Sequence, residues 1–162
     1  MKILHLKSVV AALLVSVLAV LGLTSCSSGN DAKAAGEALQ GYHDAVLDLA
    51  APTLRNITSR SALKRDKPKI ASFVDLEAST DAGVAYSMKY FSIMKGLAEG
   101  ASLRYEIDPE EIKVQGDSAS VPDRSAQLFI AGRKDHPSTT PDEVKYRMNK
   151  VDGRWLLVLD KD

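Results

Sequence analysis

The sequence predicts an α+β domain in which N-terminal helices pack on one face of a curved antiparallel sheet. Two observations lead to this prediction. Apolar residues recur at helical spacing between positions 31 and 97, and after Gly100 they alternate with polar residues at the two-residue period of a strand. The tight-turn pairs Gly116-Asp117 and Asp152-Gly153 separate several of the alternating segments. Helices followed by an antiparallel meander are typical of the α+β class.

The first helices are predicted from an apolar stripe and from proline. A helix is expected over Asp31–Ala50, because one face of that segment is apolar. The stripe consists of Ala35, Leu39, Tyr42, Val46 and Leu49. Pro52 ends this helix or starts the next. A second helix is then expected over Thr53–Leu63.

A second long helix is predicted after a charged break and a short helical turn at Ile70–Leu76. Ser79 or Thr80 can cap it, because a hydroxyl oxygen there can accept an otherwise unpaired backbone N–H. The helix is expected over Asp81–Leu97, and Gly96 and Gly100 bracket its end. Its buried side is expected to be Val84, Met88 and Phe91, joined by Ile93 or Met94.

Strands are predicted wherever apolar and polar residues alternate. These segments are 103–107, 111–115, 119–121, 126–130, 144–149 and 155–159. Pro122-Asp123 interrupts the alternation, which predicts an edge or a bulge at that point.

Two of the hairpins resemble those of a known superfamily. Residues 112–121 carry the pattern V-x-G-D-x-A-x-V, and residues 144–157 carry a strand, the tetrapeptide Asp-Gly-Arg-Trp and a closing strand. In these features, which extend over most of 31–160, the chain resembles the nuclear transport factor 2-like superfamily. The resemblance implies a cone-shaped fold with a pocket between the long helices and the concave sheet. It implies no particular chemistry, because function depends on the residues placed in the fold.

The N-terminus has the pattern of a secretory signal peptide. Lys2, His5 and Lys7 precede the almost wholly apolar segment Val9–Leu23, and no acidic residue lies among them. That segment is about 15 residues long, whereas a permanent membrane-spanning helix needs roughly 20. An uncleaved signal anchor is the alternative interpretation.

The signal is followed by Leu23-Thr24-Ser25-Cys26, which contains the only cysteine of the chain. This tetrapeptide resembles the bacterial lipobox. The resemblance implies that Cys26 carries a diacylglycerol and palmitate-type acylation and becomes the first mature residue. A lone cysteine in an exported protein has no internal disulfide partner. Ordinary cleavage after Ser25, which would leave a free thiol, is the alternative.

The predicted organisation is therefore a lipoprotein signal peptide at 1–25, the lipidated cysteine and a short tether at 26–30, and a single α+β domain at 31–162. The expected location is the extracytoplasmic face of the cell membrane, or the outer membrane if the host has one. The chain has 21 basic and 21 acidic residues. This balance gives no electrostatic signature of nucleic-acid binding.

A pocket in the cone would be apolar and aromatic, with no inward carboxylate. Its expected lining is Tyr42, His43, Tyr86, Tyr90, Leu128, Tyr146 and Trp155, with Val46 and Phe91 among them. Such a pocket suits an apolar or aromatic ligand that tyrosine hydroxyls orient. The alternative is that these residues fill the core, as aromatic residues at core spacing often do.

The strands supply no inward acid or histidine as a general base. His43 lies beside the apolar stripe, so it faces either a pocket mouth or solvent as a partly exposed helix residue. No metal-ligand cluster, phosphate-binding loop or nucleophile elbow is found, and no cofactor is expected. The sequence is thus interpreted as a non-enzymatic lipoprotein that binds a small apolar ligand, a lipid or an envelope protein. The alternative is an isomerase- or hydratase-like enzyme that uses His43 or a tyrosine hydroxyl.

The lipobox interpretation predicts that Cys26→Ala abolishes acylation, because the acceptor thiol is gone. Metabolic labelling with a fatty-acid probe in the bacterial host should label the wild-type chain and the control variant Ser28→Ala, but not Cys26→Ala. Equal labelling of all three proteins would contradict the lipoprotein interpretation.

Overall fold

The computed structural model describes residues 25–98, 100–134 and 143–160. The predicted signal peptide at 1–25 lies outside these residues except for Ser25. The chain divides after Asp31 into two units, and the fold described below is that of the second, Ala32–Asp162. Its architecture is α+β, as predicted, with helices and two antiparallel sheets.

The two long helices differ in how closely they follow the predictions. Helix α1 spans Ser25–Leu47, so it begins before Asp31 and includes the segment 26–30 that was expected to be a tether. Once a helix has formed, extending it by one residue costs less than starting it, which favours such extension into polar sequence.

The region expected to form one helix over Thr53–Leu63 forms two. Helix α2 spans Ala51–Arg55, and helix α3 spans Arg60–Asp66. Ser59 caps the N-terminus of α3, because its hydroxyl oxygen accepts a hydrogen bond from the backbone N–H of Ala62 at 3.2 Å. A serine that caps a helix stops the preceding helix from running through it. The short helix α4 follows at Pro68–Ala71.

Helix α5 spans Asp81–Leu97, which confirms the predicted bounds. The Thr80 hydroxyl caps it by accepting the Gly83 N–H at 3.0 Å. Val84, Met88 and Phe91 are buried, as expected, whereas Ile93 is exposed and Met94 is partly buried.

Within the described residues, seven strands form two sheets rather than one. The strands are β1 (Leu103–Ile107), β2 (Lys113–Gln115), β3 (Ser118–Pro122), β4 (Ala126–Ile130), β5 (Arg133–Lys134), β6 (Val144–Val151) and β7 (Arg154–Val158). One sheet has the order β1-β4-β5 and the other the order β2-β3-β6-β7. The strands divide into two sheets at the predicted break at Pro122. The register shifts between Val121 and Pro122, and a 3-10 turn at Asp123–Ser125 leads the chain into the other sheet.

The tight turn at Asp152-Gly153 joins β6 to β7, as predicted. Both residues have positive φ, 50° and 76°, which matches the two-residue turn that suits the twist of a hairpin. The free edge of β7 is covered by the segment 73–75. The Leu157 N–H donates to the Phe73 carbonyl at 2.8 Å, and the Asp75 N–H donates to the Leu157 carbonyl at 2.9 Å.

The core lies between the long helices and the sheets. Leu39, Tyr42 and Val46 of α1 are fully buried, as the apolar stripe predicts. From the sheets, Met148, Trp155 and Leu157 are buried in the same cluster, together with Leu128 of β4.

Two glycines of α5 provide a test of this packing. A Cβ added at Gly83 would lie 2.1 Å from the carbonyl oxygen of Leu159, whereas a Cβ at Gly96 would meet nothing within 4 Å. We expect Gly83→Ala to destabilise the domain by about 1–3 kcal/mol through overpacking. Gly96→Ala should stabilise it by up to about 1 kcal/mol, because alanine favours helix over glycine.

Chemical denaturation of the two variants and the wild type measures both effects. Equal and favourable changes at the two positions would mean that α5 does not approach the end of β7.

Candidate ligand-binding cavity

A cavity of about 670 Å³ lies between α5 and the first half of β6. Tyr86, Tyr90 and Phe91 of α5 and Tyr146 of β6 form its aromatic wall. The Tyr90 and Phe91 rings meet edge to face, with centroids 5.3 Å apart. A cavity of a few hundred cubic ångströms with aromatic walls is typical of small-molecule sites.

Charged residues also line the cavity, which differs from the expected apolar lining. They are Asp123, Glu143, Lys145, Arg147 and Asp160. The Lys145 ammonium lies 2.8 Å from the Asp123 carboxylate, and Arg147 lies 2.5 Å from the Asp160 carboxylate. Within each pair the opposite charges offset each other, so these four residues add little net charge to the cavity lining.

Lys145 is held in place by several groups at once. Its Nζ donates to the Ala126 carbonyl at 3.1 Å. It also lies 5.7 Å from the centroid of the Tyr105 ring and 5.9 Å from that of the Tyr146 ring. A cation near an aromatic face is attracted by the ring's electron density.

Two hydroxyls of the cavity lining, those of Ser87 and Tyr146, form hydrogen bonds with Tyr42 and His43, which are consecutive residues of α1. Tyr42 Oη lies 2.8 Å from Ser87 Oγ, and His43 Nε2 lies 3.1 Å from Tyr146 Oη. Both Ser87 and Tyr146 line the cavity, whereas Tyr42 and His43 are fully buried behind it. This pair of contacts connects the interior of the domain to the cavity wall.

His43 is enclosed by aromatic rings. It stacks on Tyr105, with centroids 3.8 Å apart and planes 17° from parallel. Phe91 and Tyr146 lie beside it at 5.7 Å and 5.3 Å. Burial, assisted by the charge of Lys145, lowers the pKa of His43 to about 3. The imidazole is therefore neutral at ordinary pH, and it is neither at a pocket mouth nor partly exposed.

The tyrosines near His43 keep their protons. Burial raises the pKa of Tyr42 well above its usual value, although the bond to Ser87 opposes the change. Burial likewise raises the pKa of Tyr105 and Tyr146, and the neighbouring hydroxyls raise that of Tyr105 further. These phenols are therefore neutral hydrogen-bond donors and do not act as phenolate bases.

Two buried polar atoms have no hydrogen-bond partner within the described part of the chain. They are Nδ1 of His43 and Oη of Tyr105. The Tyr105 hydroxyl lies near those of Tyr90 and Tyr146 without satisfying hydrogen-bond geometry to either. Unpaired buried polar groups are uncommon in folded proteins and call for an explanation.

The structure separates the predicted pocket residues into three groups. Tyr86, Tyr90 and Tyr146 line the cavity; Tyr42 and His43 lie directly behind its wall. Leu128 and Trp155 belong to the core and not to the lining. Cys26 lies in the first turn of α1, and its acylation stays a prediction.

The charged lining was missed because the predicted pocket was drawn from the apolar and aromatic positions, with which Lys145 and Arg147 alternate along the strand. Pairing between β6 and β7 begins only at Arg147, opposite Val158. Residues 144–146 therefore extend past the end of β7, where both faces of the strand can border the cavity. The length mismatch of the two strands is the signal that could have revealed this.

Comparison with known proteins finds no matching family model, no matching curated protein and no matching solved structure. Among the described helices, none is long and apolar enough to cross a membrane. Within residues 25–98, 100–134 and 143–160, no three histidine, cysteine, aspartate or glutamate residues are grouped so as to hold a metal ion.

The burial of His43 predicts a pH dependence of stability. Its pKa falls from 6.5 to about 3 on folding, so the unfolded chain takes up the proton first as the pH is lowered. The contribution of the neutral imidazole is therefore complete above pH 6.5 and is lost between about pH 6.5 and 3, at up to about 1.4 kcal/mol per pH unit.

We expect the free energy of unfolding of the wild type to fall more steeply between pH 6.5 and 5 than that of His43→Gln, which has no imidazole. Urea denaturation at several pH values measures the two slopes. Parallel slopes would mean that His43 is not buried as a neutral group.

Proposed function

We propose that this protein is a lipid-anchored bacterial envelope protein whose α+β domain binds a small, neutral and largely apolar molecule. The observation that carries this proposal is the cavity of about 670 Å³ with its wall of Tyr86, Tyr90, Phe91 and Tyr146. Aromatic rings bury a large apolar area and leave hydroxyls to orient a ligand.

The charges around the cavity favour a neutral ligand. Lys145 and Arg147 each lie in an ion pair with an aspartate of the same lining. A charged ligand would have to compete with these pairs or be buried without a partner, and burying an unpaired charge is costly. A neutral molecule leaves both pairs intact.

Binding is better supported than catalysis. A general base works best with a pKa near the working pH, whereas burial lowers the pKa of His43 to about 3. His43 also lies behind the wall, with Nε2 occupied by Tyr146. The isomerase- or hydratase-like alternative therefore has less support.

The nuclear transport factor 2-like cone remains part of the proposal. It is supported by the order of helices before strands, by the turn at Asp152-Gly153, and by a cavity between a long helix and a sheet. The lipid anchor is proposed from the sequence Leu23-Thr24-Ser25-Cys26. An anchor of this kind implies membrane lipid as a partner. Stable anchoring needs two acyl chains, which a diacylglycerol supplies.

Native mass spectrometry of the protein extracted from its own host tests the ligand proposal. We expect a bound molecule of a few hundred daltons in the wild type. Val144→Trp should lower its occupancy, because Val144 is 52% exposed and lines the cavity. Val151→Trp is the matched control, since Val151 is 38% exposed at the other end of β6 and is not part of the lining.

Equal occupancy in both variants would place the ligand outside this cavity. A tightly bound anionic molecule would contradict the preference for neutral ligands. A protein that carries no ligand, together with an envelope protein that co-purifies with it, would favour the protein-partner alternative.

A further inference from the structure

We infer that Ser87 and Tyr146 each donate a hydrogen bond into the cavity, so that the ligand carries an acceptor oxygen of the carbonyl type on an apolar body. Tyr42 and His43 are the positioning residues that turn these two protons outward. The inference rests on the proposed binding function and adds the chemical class of the ligand.

The Tyr42 hydroxyl sets the direction of the Ser87 hydrogen. Its phenol is fully buried, and among the described residues its hydroxyl bonds only to Ser87 Oγ, at 2.8 Å. A buried hydroxyl hydrogen without an acceptor is costly. Tyr42 therefore donates to Ser87, and the Ser87 hydrogen has to point to another acceptor.

His43 sets the direction of the Tyr146 hydrogen in the same way. The neutral imidazole carries one N–H, and within the described chain only Nε2 has a partner, the Tyr146 oxygen at 3.1 Å. Placing the proton on Nε2 gives this N–H an acceptor, whereas placing it on Nδ1 leaves a buried donor unpaired. Orphaned buried N–H groups are rare. His43 therefore donates to Tyr146, whose own hydrogen is free to point elsewhere.

The hydroxyl hydrogens of Ser87 and Tyr146 are thus both available, and both residues line the cavity. The Tyr105 hydroxyl beside Tyr146 does not use up the freed hydrogen, because it faces Tyr146 as a donor: their contact raises the pKa of Tyr105 and lowers that of Tyr146. Two donors on an otherwise aromatic wall discriminate in favour of a ligand with acceptor oxygens, such as a ketone, ester or amide. A pure hydrocarbon would leave both donors unpaired in a desolvated site.

A double-mutant cycle between the ligand oxygen and the Tyr146 hydroxyl tests this inference. The probes are 2-acetylnaphthalene and 2-isopropylnaphthalene, which have similar shapes but differ in the carbonyl oxygen. Dissociation constants for the full-length wild type and Tyr146→Phe are measured in detergent by ligand-observed NMR. Partitioning of each probe into detergent is the same for both proteins and cancels in the cycle.

We expect Tyr146→Phe to weaken binding of the acetyl probe by about threefold to tenfold relative to its effect on the isopropyl probe, as for one neutral hydrogen bond. Equal effects on both probes would overturn the inference and leave cavity binding intact. If neither probe binds the wild type while its unfolding transition is normal, the proposed function fails as well.

Two variants at position 43 test the positioning role. In His43→Gln the side-chain amide can still donate to Tyr146, whereas in His43→Leu it cannot. We expect the preference for the acetyl probe to survive in His43→Gln and to decrease in His43→Leu, at equal thermal stability. The same preference in both variants would overturn the role of His43, and loss in both would show that only packing at this position matters.

Discussion

The position of α5, and with it the cavity, depends on the close approach of Gly83 to the backbone of Leu159. The absence of a side chain at Gly83 lets the helix lie directly on the end of β7. Two hydrogen bonds fix this contact, because the Thr80 N–H donates to the Leu159 carbonyl and the Leu159 N–H donates to Ser79 Oγ, both at 2.9 Å. The helix is therefore held at its first turn, while its middle forms the wall opposite β6.

The interior behind that wall is polar without being charged. A histidine and two tyrosines, His43, Tyr42 and Tyr105, are buried there in neutral form, and Lys145 and Arg147 lie at the cavity lining in ion pairs with aspartates. Neutral hydrogen-bonding groups cost far less to bury than charges do. The arrangement keeps the core stable and still gives the cavity wall groups that can orient a bound molecule.

Local signals in the sequence were sufficient for much of the fold. Ser79 or Thr80 marked the start of α5, and Asp152-Gly153 marked the last hairpin, because a cap and a two-residue turn depend on neighbouring residues only. The burial of His43 was not predictable in this way, since it depends on rings supplied by α5 and by strands of both sheets. The place of Lys145 in the cavity lining was not predictable either, because alternation along β6 says nothing about where β7 ends.

The covered edge of β7 bears on how other chains can join this sheet. Many proteins recognise an extended peptide by adding it as one more strand to an open sheet edge. Here the segment 73–75 already occupies that position on β7, through the bonds to Leu157. The opposite edge is β2, which has three residues, of which Lys113 and Gln115 are exposed. Short and charged edge strands resist pairing with foreign strands, so the four-stranded sheet is protected at both sides against the uncontrolled strand addition that leads to aggregation.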